Sequence, residues 1–168
     1  FDNKDMTIID IGGQDTKIIC VEQGFVKDFM MNDKCSAGTG RFLEMMARTM
    51  EMSLDDMGKA GLSYKEDITI SSMCTVFAES EVVSLIAQNK ATDDIVHGLN
   101  KAVASKTAAL AKRVGGEERY MMTGGVSKNQ GLVKTLEEKL GTTLVISDKA
   151  QLCGALGAAL FAKDMVTE

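Results

Sequence analysis

The order of its β-rich and helical segments is the feature of this chain that most constrains the fold. Three β-rich runs come first, at residues 7–11, 16–21 and 25–31, and glycine-containing turns separate them. Short connections of this kind predict an antiparallel meander. Several helical segments follow, and the remainder of the chain alternates strand, helix, strand and helix. This order predicts an α/β domain with a mixed sheet and helices packed on both faces.

Periodicity and glycine stops place the other elements. Ser53 and Asp56 resemble a capping box that opens a short helix. A long helix begins near Thr92 and ends at the glycine pair that starts with Gly115. Further helices are predicted at residues 40–52, 75–88, 126–140 and 150–163, and further strands at residues 68–70, 120–123 and 142–146.

Composition excludes several classes of protein. The chain has 168 residues, 45% of them apolar, which suffices for one domain with its own core. The net charge of −5 argues against a broad nucleic-acid surface. No apolar run approaches the roughly 20 residues of a membrane span, and the start does not resemble a signal peptide. Four irregularly spaced cysteines do not resemble a secreted disulfide framework. We therefore expect a cytoplasmic domain with neither nucleic acid nor membrane as partner.

Two of the four cysteines precede segments that are predicted to begin helices. Cys35 and Cys74 would then face unpaired backbone N–H groups, a setting that favours the thiolate and suits metal ligation or redox chemistry. An iron–sulfur cluster normally needs four thiolates, so two per chain suggest a cluster shared across a symmetric dimer. The alternative is that these cysteines act as small buried hydrophobes, which we expect of Cys20 and Cys153.

The first glycine turn has residues suited to phosphate chemistry. Gly12 and Gly13 allow close approach of backbone N–H groups to phosphate oxygens. Asp10 is suited to holding Mg²⁺ through water, Thr16 to bonding a phosphate, and Gln14 to orienting an attacking water. An ordinary hairpin turn is the alternative interpretation.

A second glycine turn, at Gly124 and Gly125, lies between a predicted strand and a predicted helix. Nucleotides commonly bind at such junctions, and the missing side chains leave room for adenine or ribose. An ordinary strand–helix turn explains the same residues. The small side chains of residues 154–159 indicate either close packing, the interpretation we favour, or close approach of a ligand.

Five segments taken together resemble a known family, the ATPase activators of 2-hydroxyacyl-CoA dehydratases, whose relatives include the ATP-binding subunits of benzoyl-CoA reductase. The segments are residues 10–17, 32–43, 74–81, 123–129 and 154–160. The resemblance implies an actin-like ATPase built from ribonuclease-H-like lobes, with ATP or ADP and Mg²⁺ bound between them. It also implies that residues 10–17 form a phosphate loop and that residues 123–129, including Lys128 and Asn129, form the adenosine loop.

The resemblance further implies that Cys35 and Cys74 are cluster ligands and that a homodimer holds one [4Fe–4S] cluster. ATP would then drive one electron into a partner 2-hydroxyacyl-CoA dehydratase or a related acyl-CoA reductase. The family has an earlier lobe with another phosphate loop, and nothing in this sequence matches it. We therefore expect residues 1–168 to form the second lobe only, with a helical insertion at about residues 36–90.

Two other hypotheses stay open on sequence grounds. One is a nucleotide-binding module of a kinase-like or actin-like protein without redox work. The other is a structural lobe whose cysteines bind zinc or nothing.

Overall fold

The computed structural model describes residues 5–32, 34–72, 74–116 and 119–167; Asp33, in the segment 32–43, lies outside them. In this part of the chain a five-stranded mixed sheet has the order β3-β2-β1-β4-β5. Its strands are β1 (Met6–Ile11), β2 (Thr16–Glu22), β3 (Phe25–Asn32), β4 (Tyr120–Thr123) and β5 (Val145–Ile146). Strands β1, β2 and β3 pair antiparallel, as the meander predicted, whereas β4 pairs parallel with both β1 and β5.

Six α-helices make up most of the rest of the described chain. They are α1 (Gly40–Thr49), α2 (Leu54–Ala60), α3 (Thr75–Ala87), α4 (Thr92–Val114), α5 (Gln130–Leu140) and α6 (Cys153–Thr167). Short 3-10 helices, Gly125–Lys128 and Ala150–Leu152, precede α5 and α6. The mixed α/β fold class is therefore confirmed. Among the described helices, none combines the length and the apolar character needed to cross a membrane.

The core lies between one face of the sheet and helices α1, α4 and α5. Alternate residues of β1 and β2, such as Ile9 and Ile18, are fully buried and lie side by side across the pair. Phe42 of α1, Leu99 of α4 and Leu132 of α5 complete this cluster. The opposite face carries half-buried residues of β1 and β2, and β3 is largely exposed.

Predicted helix ends are confirmed where a local hydrogen bond or dihedral angle defines them. The Ser53 hydroxyl accepts a hydrogen bond from the Asp56 amide and caps α2. Gly115 adopts the left-handed conformation, φ 67°, that ends α4. Strand β4 has the predicted bounds.

Several predicted elements are wrong in type or extent. Residues 68–70 form no strand; Ile68 and Ile70 are buried against α4 instead, where Gly98 leaves room for the Ile68 carbonyl. The helix predicted at 126–140 is divided, because Asn129 caps a new helix that begins at Gln130. The strand predicted at 142–146 has only two residues, and α1 ends at Thr49 rather than residue 52.

Candidate functional site

A cleft of about 610 Å³ opens where the ends of β1 and β4 meet the first turns of α1 and α6. Both glycine turns contribute to its wall. Its lining residues include Asp10, Gly12, Gly13, Gly40, Arg41, Gly124, Gly125, Lys128, Asn129, Gln151, Gly154 and Ala155. The fold therefore brings together two loops that lie more than a hundred residues apart in sequence.

Gly124 brings the second turn against the end of β1. Its φ is +87°, and an added Cβ would lie 2.2 Å from the Ile11 carbonyl oxygen. The Gly124 amide donates a hydrogen bond to the Ala150 carbonyl at 3.0 Å, which also ties the turn to the residues before α6. Only glycine satisfies both the dihedral angle and the contact.

The first turn is bonded to the start of α1. The Gly40 amide donates to the Gly12 carbonyl at 2.8 Å, and the Arg41 amide donates to the Gly13 carbonyl at 2.7 Å. A Cβ on Gly40 would lie 3.0 Å from the Gly12 oxygen. These bonds satisfy amides that a helix start otherwise leaves without intrahelical partners.

Asp10 presents a partly engaged carboxylate to the cleft. The Thr123 hydroxyl donates to its Oδ2 at 2.6 Å. The Lys17 ammonium lies 3.8 Å from its Oδ1 and also pairs with Asp15 at 2.5 Å. A carboxylate with free lone pairs beside backbone amides suits a hydrated Mg²⁺ with a phosphate.

Most predicted cleft residues line the cleft, and two do not. Asp10, Gly12, Gly13, Gly124, Gly125, Lys128 and Asn129 line it, although the Asn129 Oδ1 also caps α5 by accepting from the Leu132 amide at 2.9 Å. Gln14 is exposed on the turn, outside the lining. The phosphate contact predicted for Thr16 is corrected by the structure. Thr16 is 1% exposed, and its hydroxyl donates to the Gly38 carbonyl at 2.8 Å rather than facing the cleft.

Sequence reasoning missed several residues of the cleft. Gly40 and Arg41 belong to the segment around Cys35, which carried no nucleotide prediction, and Gln151 carried no signal at all. The close packing that we expected of residues 154–159 is also wrong. A Cβ on Gly154 or Gly157 would meet no atom within 4 Å, and Gly154 and Ala155 line the cleft instead.

Cys35 and Cys74 are both exposed, whereas Cys20 is buried and Cys153 is half-buried. Cys74 is the N-cap residue of α3, as predicted. Cys35 is different, because residues 36–39 separate it from α1 and include Gly38 at φ +86°. The helix-terminus argument therefore applies to Cys74 and not to Cys35.

A direct hydrogen bond joins the two cysteine loops, and further bonds hold the approach to Cys74. The Ser36 and Thr75 hydroxyls, each one residue after a cysteine, lie 2.8 Å apart. The Glu81 carboxylate of α3 accepts from the Ser71 amide at 3.0 Å and from the Ser72 amide at 3.3 Å, which fixes the approach to Cys74. Both thiols therefore belong to one exposed region of the surface.

One chain does not supply a complete metal site in its described residues. No group of three or more His, Cys, Asp or Glu side chains there is placed to hold a metal ion. Two exposed thiols fit half of a four-thiolate cluster site. Val76 and Phe77, in the first turn of α3 next to Cys74, are more than half exposed, as expected of a surface that another molecule covers.

A separate polar cluster surrounds His97 of α4. Its ring stacks on Tyr64 with centroids 3.4 Å apart, and burial lowers the His97 pKa from its usual value. The hydrogen bond from Lys101 lowers the pKa of Asp67. The Glu66 and Lys65 amides donate to Asp94 and lower its pKa likewise. These groups anchor the connection between α2 and α3 on α4.

Comparison with known proteins gives consistent matches. Residues 1–162 match the model of the BadF/BadG/BcrA/BcrD ATPase family. The chain is 45% identical to the 2-hydroxyisocaproyl-CoA dehydratase activator of Clostridioides difficile, over 96% of this chain and 61% of the relative. It is 50% identical to the (R)-2-hydroxyglutaryl-CoA dehydratase activating ATPase of Acidaminococcus fermentans, over 93% of this chain and 60% of the relative.

Solved structures agree with these matches. The crystal structure of component A of the Acidaminococcus fermentans (R)-2-hydroxyglutaryl-CoA dehydratase has a TM-score of 0.92 at 48% identity, covering 96% of this chain and 62% of that chain. The ethanolamine utilization protein EutJ of Carboxydothermus hydrogenoformans, at TM-score 0.56 and 16% identity over 94% of this chain and 49% of its own, shares the fold alone. The chain thus spans about three fifths of the curated relatives that it matches.

Proposed function

The chain belongs to the BadF/BadG/BcrA/BcrD ATPase family, and we propose from this membership that it forms part of an ATP-dependent activator of a 2-hydroxyacyl-CoA dehydratase. In this proposal the cleft binds ATP or ADP with Mg²⁺, and two copies of the chain share one [4Fe–4S] cluster. Residues 1–168 act as the second ribonuclease-H-like lobe, with residues 36–90 as its helical insertion.

One observation carries this proposal. The segment of residues 35–41 holds an exposed thiol at one end and lines the nucleotide cleft at the other. Its Gly40 and Arg41 amides bond the carbonyls of the first glycine turn. A nucleotide-binding module without redox work does not require an exposed pair of cysteine loops joined to its phosphate loop. An activator that uses ATP to control electron delivery does.

The cleft residues take distinct parts in nucleotide binding. Gly12 and Gly13 allow the turn to approach phosphate oxygens closely, although the Gly12 amide itself donates to the Asp15 carbonyl at 2.9 Å. Asp10 orients the hydrated Mg²⁺. Gly124 and Gly125 leave a flat surface for adenosine, and Lys128 at its exposed edge supplies positive charge. Gln14, on the same turn as Gly12, orients the attacking water in this proposal.

The thiolates of Cys35 and Cys74 from two copies would hold the cluster, which supplies one-electron reduction at low potential when bound. Cys74 places the ligand at the positive end of α3, whose first turn carries no acidic residue. A change in the position of either loop alters solvent exposure and hydrogen bonding to sulfur, the features that set such a potential. A shift of 59 mV for one electron corresponds to about 1.4 kcal/mol.

A reconstitution experiment tests the proposed function. We expect the full-length protein that contains this lobe, purified without oxygen and with its cluster reduced by dithionite, to transfer one electron to an isolated 2-hydroxyacyl-CoA dehydratase only when ATP and Mg²⁺ are present. Cys74→Ser should abolish electron delivery, whereas the matched control Cys153→Ser, at a half-buried thiol away from both cysteine loops, should keep it. Undiminished delivery by Cys74→Ser would exclude the proposed cluster ligand.

A further inference from the structure

The hydroxyl of Thr16 connects the nucleotide turn to the loop of Cys35. Thr16 is the first residue of β2 and pairs with Ile11, the last residue of β1, so it lies at the base of the hairpin that carries Gly12 and Gly13. It is 1% exposed, and its hydroxyl donates to the Gly38 carbonyl at 2.8 Å. The bond spans 22 residues of sequence.

The Cys35 loop is held through its carbonyl groups. The side-chain amide of Asn32 donates to the carbonyls of Cys35 and Ala37 at 3.0 and 3.1 Å. The Lys106 ammonium of α4 also donates to the Ala37 carbonyl at 2.7 Å. The Ser36 carbonyl accepts from Thr39 within the loop. Each carbonyl of residues 35–38 thus has a donor, and the loop is stiff.

The external donors differ in what they attach the loop to. Asn32 ends β3, and Lys106 lies within the long helix α4, neither of which lines the nucleotide cleft. Thr16 alone among these side-chain donors belongs to the hairpin whose turn lines it. A displacement of the hairpin would move the Gly38 carbonyl through this hydroxyl. Because every carbonyl of residues 35–38 is bonded, that movement would be passed along the loop to Cys35.

We infer that Thr16 is a positioning residue that couples the nucleotide turn to the cluster ligand Cys35, an inference that rests on the proposed function. The main-chain bonds from Gly40 and Arg41 give a parallel connection to α1. Loss of the Thr16 hydroxyl therefore weakens the nucleotide response of the cysteine loop and does not abolish it.

The test measures how strongly nucleotide changes the accessibility of the cluster. The rate of iron removal by a chelator is compared in the intact cluster-loaded protein with saturating ADP and with a saturating non-hydrolysable ATP analogue. The quantity compared is the ratio of the faster rate to the slower one, and saturation makes it independent of nucleotide affinity. We expect Thr16→Val to lower this ratio by about threefold, the effect of losing one hydrogen bond, and Thr16→Ser to restore it.

The matched control is Thr135→Val. Thr135 is 4% exposed, and its hydroxyl donates to the Gly131 carbonyl at 2.8 Å within α5, so it loses a similar bond away from both cysteine loops. Its ratio should equal that of the wild type. If Thr16→Val does not accumulate as a folded protein, Thr16→Ala takes its place with the same expected outcome.

The failures of the two proposals look different. A wild-type ratio retained in the Thr16 variant overturns the coupling role alone. A wild-type protein whose cluster is absent, or whose chelation rate is the same with both nucleotides, overturns the proposed function and the coupling with it.

Discussion

The Ser36 hydroxyl lies 2.8 Å from the Thr75 hydroxyl, and this bond joins the loops of Cys35 and Cys74 within one chain. The two residues are 39 positions apart in sequence: Ser36 lies in the loop between β3 and α1, and Thr75 is the first residue of α3. The bond therefore sets the spacing of the two cysteine loops before any second copy of the chain is present.

Removing the Ser36 hydroxyl should loosen this spacing. We expect Ser36→Ala to cost about 1 kcal/mol of free energy of unfolding in the cluster-loaded protein. It should also accelerate loss of the cluster in air, because the ligands are less well held. Denaturant titration measures the stability, and the decay of the cluster's visible absorbance in air measures the loss.

Ser84→Ala is the matched control for that variant. Ser84, in the last turn of α3, accepts an exposed hydrogen bond from Gln88 at the opposite end of that helix from Cys74. It should leave cluster loss unchanged. Equal cluster lifetimes in the Ser36 and Ser84 variants would show that the hydroxyl pair does not hold the loops.

The left-handed turn at Gly124 predicts a large effect of adding one methyl group. Gly124→Ala would place Cβ 2.2 Å from the Ile11 oxygen at φ +87°, so the end of β1 must move. We expect a loss of at least about 2 kcal/mol in free energy of unfolding. Isothermal titration should also show weaker binding of ADP, since the turn lines the cleft.

Gly157→Ala provides the comparison. Its Cβ meets no atom within 4 Å, and it lies inside α6, where alanine favours the helix by about 0.5–1 kcal/mol. This variant should be as stable as the wild type or more so. Equal stability of the two alanine variants would contradict the close contact between Gly124 and β1.

Local patterns predicted most of the sheet and both glycine turns of the cleft. Strand β4 and the end of α4 at Gly115 follow from residue types that act within a few positions. The strand predicted at residues 68–70 was wrong, because β-rich composition does not show whether a neighbouring strand is present for it to pair with. The Thr16 hydroxyl was assigned to phosphate because its partner, the Gly38 carbonyl, lies 22 residues away and gives no side-chain signal.

Burial of His97 predicts a stability that falls in mild acid. Burial lowers the folded-state pKa below the usual 6.5, so the unfolded chain binds the proton more readily. The free energy of unfolding keeps the full contribution of His97 above about pH 6.5 and declines as the pH falls below 6.5 towards the folded-state pKa. His97 is the single histidine of the sequence, so this slope is assigned to one side chain.

Urea midpoints measured between about pH 7.5 and pH 5.5 test this slope. His97→Gln keeps a hydrogen-bond donor without a titrating group and should flatten the pH dependence. Tyr64→Phe keeps the stacking partner and the titration, so it should retain the wild-type slope. A slope unchanged in the glutamine variant would assign the acid sensitivity to other groups.

We propose that two copies of this chain hold one inorganic cluster through Cys35 and Cys74. Native mass spectrometry of the protein, purified without oxygen, tests it most directly by weighing the intact assembly. We expect a dimer carrying one cluster of four iron and four sulfide ions, lost in Cys35→Ser and in Cys74→Ser but retained in Cys153→Ser. A metal-free assembly, or a cluster retained in each of the two single serine variants, would contradict a shared cluster held by these cysteines.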